Sequence, residues 1–103
     1  MTDPSAKGFW GPRNENGMRS DTILIIDDEP QIRRVVSNAV KDLSGHVLEA
    51  STGADGLDLA AAQRPELVVL DLGLPDMPGD RVCRELRKWS SAPILVLSAR
   101  HSD

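Results

Sequence analysis

From Thr22 onward, short apolar runs alternate with segments whose apolar residues recur every three or four positions. The first run, TILIID (22–27), is apolar at successive residues and therefore on both faces, the pattern of a central parallel strand covered on each side. In PQIRRVVSNAVKDLSG (30–45), Ile32, Val35, Val36, Ala39, Val40 and Leu43 share one helical face; Pro30 suits the first helical position and Gly45 follows the end. HVLEA (46–50) predicts a short strand. A helix is predicted over about 53–63, where Ala60, Ala61 and Ala62 permit close packing, and it stops before Pro65. ELVVLD (66–71) is a third strand. PGDRVCRELRKWS (78–90) is a third helix, with Val82, Leu86 and Trp89 on one stripe and Arg81, Arg84, Arg87 and Lys88 largely off it. APILVLSA (92–99) closes the series as a fourth strand. Strands alternating with helices form βαβ units, right-handed in about 98% of cases, and stack helices on both faces of a parallel sheet. The expected fold class is α/β, a doubly wound parallel sheet.

Residues 1–20 break this pattern. They mix Gly, Pro, Asn and Ser with scattered charges, and Phe9 and Trp10 stand outside any period, so the segment reads as a flexible leader with residues 21–103 as the domain. Met18 offers an alternative start just ahead of the first strand. The net charge of -4 argues against a nucleic-acid-binding surface, which needs clustered Lys and Arg to displace phosphate counterions, so no direct nucleic-acid contact is expected. Cys83 is the one cysteine and lacks an internal disulfide partner, which suits a reducing cytoplasm. No apolar stretch approaches the roughly 18 to 20 residues of a membrane span, so no membrane association is expected.

The acids then set the chemistry. In open parallel sheets, ligands bind beyond the carboxyl ends of the strands where the strand order reverses. The first strand ends in Asp27, Asp28 and Glu29, the third in Asp71 and the fourth in Ser98, all at one edge of such a sheet. Converging carboxylates repel, so either one stays protonated or a cation lies between them. Oxygen ligands favour a hard ion, and Mg²⁺ suits one or two carboxylates beside a carbonyl and a phosphate. With its charge screened, Asp71 becomes an aspartyl nucleophile for a phosphoryl group, and Ser98 offers a hydroxyl to that group. Simpler roles exist for each: an acid before Pro30 caps a helix, Asp71 turns the chain ahead of Gly73, and Ser98 merely ends a strand. The double acid after strand one together with the lone acid after strand three favours the functional reading. Cys83 is expected to pack, His46 and His101 carry no assigned role, and the cationic residues of the third helix form a solvated face that could meet an acidic partner.

ILIIDDEPQIRR (23–34), LVVLDLGLPDMPG (67–79) and APILVLSAR (92–100) resemble the first, third and fourth strand motifs of response-regulator receiver domains, in order and at fitting intervals. LDLGLPD (70–76), LRKW (86–89) and PILVLSAR (93–100) are most similar to KdpE-type regulators of the OmpR/PhoB class, which control potassium-transport genes. The resemblance implies a flavodoxin-like strand order 2-1-3-4, Asp71 as phosphoacceptor, and Mg²⁺ held by Asp27 and Asp28, directly or through water, and by the Gly73 carbonyl. It also implies Ser98 as the switch hydroxyl and a phosphohistidine on a sensor histidine kinase as donor. A receiver catalyses only its own phosphorylation and dephosphorylation and is no conventional enzyme. DNA would be reached through a C-terminal domain of the parent protein.

The family pattern continues past the fourth strand with a helix, a lysine-bearing fifth strand and a final helix, whereas this sequence stops at Asp103 and has no Lys after Lys88. The expectation is a truncated receiver whose fourth strand is an exposed edge, open to homodimer or strand-paired assembly. Two alternatives follow. An oligomerising fragment without signalling would use that edge alone. An aspartyl-nucleophile phosphatase would need a second acid two residues after Asp71, where Gly73 stands.

Overall fold

The computed structural model describes residues 21–97. The expected leader over residues 1–20, and Ser98 with the rest of the C-terminus, lie outside the described residues. Strands β1 (Thr22–Ile26), β2 (His46–Ala50), β3 (Leu67–Asp71) and β4 (Ile94–Leu97) form a four-stranded sheet in the order β2-β1-β3-β4. Every pairing is parallel, with Ile26 opposite both Ala50 and Leu70, and Asp71 opposite Leu97. Helices α1 (Pro30–Val40), α2 (Gly53–Gln63) and α3 (Gly79–Arg87) make the crossovers. The doubly wound α/β architecture read from the alternation is the observed one.

The unbroken apolar runs explain why β1 and β3 are central. Side chains alternate across a strand, so a strand covered on both sides has no position for an exposed polar residue. Ile23, Leu24, Ile25, Ile26, Val68, Val69 and Leu70 are all essentially inaccessible. On one face Leu24, Ile26, Val68 and Leu70 pack with Ala60 of α2 and with Val82 and Leu86 of α3. On the other, Ile23, Ile25 and Val69 meet Val36 and Val40 of α1. Full burial of a side chain of this size is worth about 1.5–3 kcal/mol, so these two strands carry much of the stability.

Two features of the helices differ from the pattern reading. The apolar face of α1 is narrower than expected: Ile32, Val36 and Val40 are partly buried, whereas Val35 is 64% exposed, Leu43 is 46% exposed and Ala39 is exposed as well. Val35 and Ala39 lie on the row next to the sheet-facing one, and among the described residues α1 alone packs on that face. The helix also tightens into a 3₁₀ turn over Lys41–Leu43. Trp89, expected on the stripe with Val82 and Leu86, lies beyond the end of α3 and is 46% exposed. The chain closes there with the Trp89 N–H donating to the Leu86 carbonyl at 3.1 Å. Cys83 is partly buried against the core, and Arg81, Arg84, Arg87 and Lys88 are exposed, as expected.

Candidate functional site

After β1 the chain runs to β2 at one edge, then crosses back over β1 to place β3 on its other side. The order reverses between β1 and β3, and the residues ending those strands are the acids. Asp27 follows Ile26, whose register partner is Leu70, so Asp27 and Asp71 leave the sheet side by side. Asp27, Asp28 and Asp71 each offer a carboxylate oxygen within 4.8 Å of the others. Asp27 and Asp71 are almost wholly buried, and Asp28 is half-buried.

Local bonds aim these groups. The Glu29 N–H donates to Asp27 Oδ1 at 2.9 Å, and the Gly73 N–H donates to Asp71 Oδ1 at 3.2 Å. Each aspartate bends the chain that follows it, and the turn-forming bond takes only one of its two carboxylate oxygens. Glu29 sits at the N-cap of α1 without a side-chain capping bond, and Pro30 occupies the first turn, as the sequence implied. Arg33, one turn into α1, donates through Nη1 to the Asp27 carbonyl at 2.8 Å and through Nε to Glu49 Oε1 at 3.0 Å. It thereby ties α1 to the ends of β1 and β2. Nothing in the helical period marks Arg33 for this part, because its partners belong to other elements.

Asp76 was equally silent in the sequence. It lies five residues after Asp71 in the loop leading to α3, and its two oxygens accept the backbone N–H groups of Gly53 and Ala54 at 2.8 and 2.9 Å. Those N–H donors, that of Gly53 foremost, hold its carboxyl below the ordinary value of 3.8. The loop therefore reaches from the site to the N-terminus of α2.

The donor set of the acid trio is entirely carboxylate oxygen, with Gly73 close by in the chain. Such a set fits a hard divalent cation that keeps water and phosphate in its shell, and offers neither the sulfur nor the imidazole ligands that softer metals take.

The response regulator receiver domain family matches residues 23–103. The chain belongs to that family. Among its relatives, the Transcriptional regulatory protein KdpE of Mycobacterium tuberculosis is 51% identical over 78 residues, 76% of this chain and 34% of that protein. The KDP operon transcriptional regulatory protein KdpE of Escherichia coli is 46% identical over 81 residues, 79% of this chain and 36% of that protein. The receiver chain thus spans about a third of the length of the curated relatives it matches. A crystal structure of histidine kinase ThkA in complex with response regulator protein TrrA is matched at a TM-score of 0.68 and 32% identity, covering 81% of this chain and 75% of the matched one. A receiver is a signalling domain rather than a classical enzyme, receivers of this family bind Mg²⁺ through acidic residues, and the matched structure holds a response regulator in complex with a histidine kinase. No helix among the described residues is long and apolar enough to cross a membrane.

Proposed function

We propose that this receiver accepts a phosphoryl group on Asp71 from the phosphohistidine of a sensor histidine kinase in the cytoplasm. The phosphorus–nitrogen bond breaks as an Asp71 carboxylate oxygen forms the new bond to phosphorus. The observation that carries the reading is the convergence of Asp27, Asp28 and Asp71 at the reversal point of the sheet. Asp27 and Asp28, directly or through water, with Asp71 and the Gly73 carbonyl, are the residues that would hold Mg²⁺. The ion, when bound, offsets the charge of the acids and of the incoming phosphoryl oxygens. Asp71 sits on the last residue of a buried strand and is held by its bond from Gly73, so its carboxylate is presented in a fixed pose. Ser98 is the switch hydroxyl in this reading. A phosphoryl group adds roughly -1.5 to -2 charge at pH 7, enough to reorganise the loops around it.

In the parent protein, the output is transcription of potassium-transport genes through a separate DNA-binding domain. The likeness to the two KdpE proteins supports this. Incubation with a phosphorylated sensor kinase or with acetyl phosphate, followed by intact-mass analysis with and without Mg²⁺, tests the reading. A single Mg²⁺-dependent phosphoryl adduct, lost in Asp71→Asn, is expected; an adduct that persists in that variant would overturn it.

One observation favours a second reading, assembly through β4. Leu95 is 55% exposed and Val96 is 41% exposed on the outermost strand of the described sheet. An edge of this kind offers unpaired backbone groups to a second copy. Light scattering that finds only monomer across a wide concentration range would dismiss it.

A further inference from the structure

The loop between Asp71 and α3 is wedged between two helix N-termini. At one end, a Cβ on Gly79, the first residue of α3, would lie 2.6 Å from the Leu72 Cα and 2.8 Å from the Asp71 carbonyl oxygen. The Gly79 N–H also donates to the Leu72 carbonyl at 3.0 Å. At the other end, a Cβ on Gly53, the first residue of α2, would lie 2.6 Å from the Met77 Cγ. Both glycines are buried; loop backbone fills the space beside Gly79, and the Met77 side chain fills that beside Gly53. Gly73, whose carbonyl is the suggested metal ligand, is exposed in this span, between the exposed Leu72 and Leu74, which packs in the core.

Asp76 closes the arrangement. Its oxygens reach residues 23 and 22 positions earlier in the chain, one to each of two successive N–H groups. Two bonds from one planar carboxylate fix its direction as well as its distance. Thr52 Oγ1 accepts the Asp55 N–H at 3.1 Å, so Asp76 completes the cap of α2 by taking the two N–H groups that Thr52 leaves, and it does so from a distant segment. What Asp76 adds is a cross-link from the site loop to an element outside the site.

We propose that Asp76 is a positioning residue: by forking across the Gly53 and Ala54 N–H groups it fixes the Leu72–Met77 loop, and with it the Gly73 carbonyl, relative to Asp71. The inference rests on the Mg²⁺ reading above and makes cation affinity at the mouth of the sheet depend on a contact with α2 that never touches the ion.

The test compares the unaltered chain with Asp76→Ala and Asp76→Asn by NMR, titrating Mg²⁺ at neutral pH well below the melting temperature. The amide spectrum reports that each variant is folded, and exchange of the Gly53 and Ala54 amides reports whether the cross-link has opened. Partners that orient metal ligands without touching the metal typically change affinity about 10- to 100-fold. Asp76→Ala is therefore expected to weaken Mg²⁺ binding about 10-fold, with Asp76→Asn, which keeps one acceptor oxygen, in between. A purely structural role would speed exchange and lower the melting temperature while leaving the Mg²⁺ Kd of the folded chain unchanged. Unchanged Kd in both folded variants overturns the inference alone. Absence of Mg²⁺ binding in the unaltered chain overturns the metal reading and the inference with it.

Discussion

Replacing Asp71 with asparagine removes one of the three carboxylates at the mouth of the sheet while keeping the side-chain shape and an oxygen for the Gly73 N–H. Two unit charges at the 4.8 Å limit of the cluster repel by about 3.5 kcal/mol at an effective dielectric near 20. Asp28 is half-buried, and solvent on that side screens its share. The N–H groups of Glu29 and Gly73 offset part of the rest. A net gain of about 1–3 kcal/mol for the metal-free Asp71→Asn chain is what that screening leaves. For a domain of this size each kcal/mol moves the melting temperature by about 4–8 °C. Mg²⁺ then works in the opposite sense. A ligand at 100 times its Kd adds about 2.7 kcal/mol to the chain that binds it, and the variant has lost a ligand. Calorimetric melts in EDTA and in saturating Mg²⁺ should therefore show the variant above the unaltered chain without the ion and the gap closing or inverting with it. A variant that melts lower in EDTA, or an equal Mg²⁺ shift in both proteins, would refute the claim that these acids form one electrostatic site.

Three further outcomes follow from the packing. Gly79→Ala places a methyl against the Leu72 Cα and the Asp71 carbonyl, backbone atoms that cannot rotate away, so overpacking of about 1–3 kcal/mol outweighs any gain in helix propensity; urea unfolding should show a lowered midpoint. Leu86→Ala, at a wholly buried position, should cost about 2–5 kcal/mol. Leu95→Ala, on the exposed edge strand, should stay within about 0.5 kcal/mol of the unaltered chain in the same assay. Asp76 has a folded value below its ordinary one, so its stabilisation is present above the unfolded value and is lost as pH falls through the folded one. The difference in urea midpoint between the unaltered chain and Asp76→Asn, in EDTA, should be full at pH 7 and shrink below about pH 4.

How much of this was readable beforehand depends on the range of the interaction that makes each feature. The central strands were readable because burial on both faces leaves no polar position between residues 23 and 26 or between 67 and 70. The site inherited that clarity: once β1 and β3 were identified, the acids at their ends had to meet wherever the strand order reverses, and Asp27 and Asp71 do. Helical period says which residues share a row, but not how many rows a neighbour will cover. Val35 thus matched the pattern as well as Val36 did, and only the single-helix cover on that face separates them. Asp76 and Arg33 were unreadable for a stronger reason. Each takes part through bonds to backbone groups of another segment, the Gly53 and Ala54 N–H groups in one case and the Asp27 carbonyl in the other, and backbone groups are identical at every residue. A sequence can advertise a cluster of acids; it has no letter for the main-chain atom that an acid or an arginine will find. The residues that hold this site in shape are therefore the ones hidden in the sequence, while those proposed to do its chemistry stand in plain view at the strand ends.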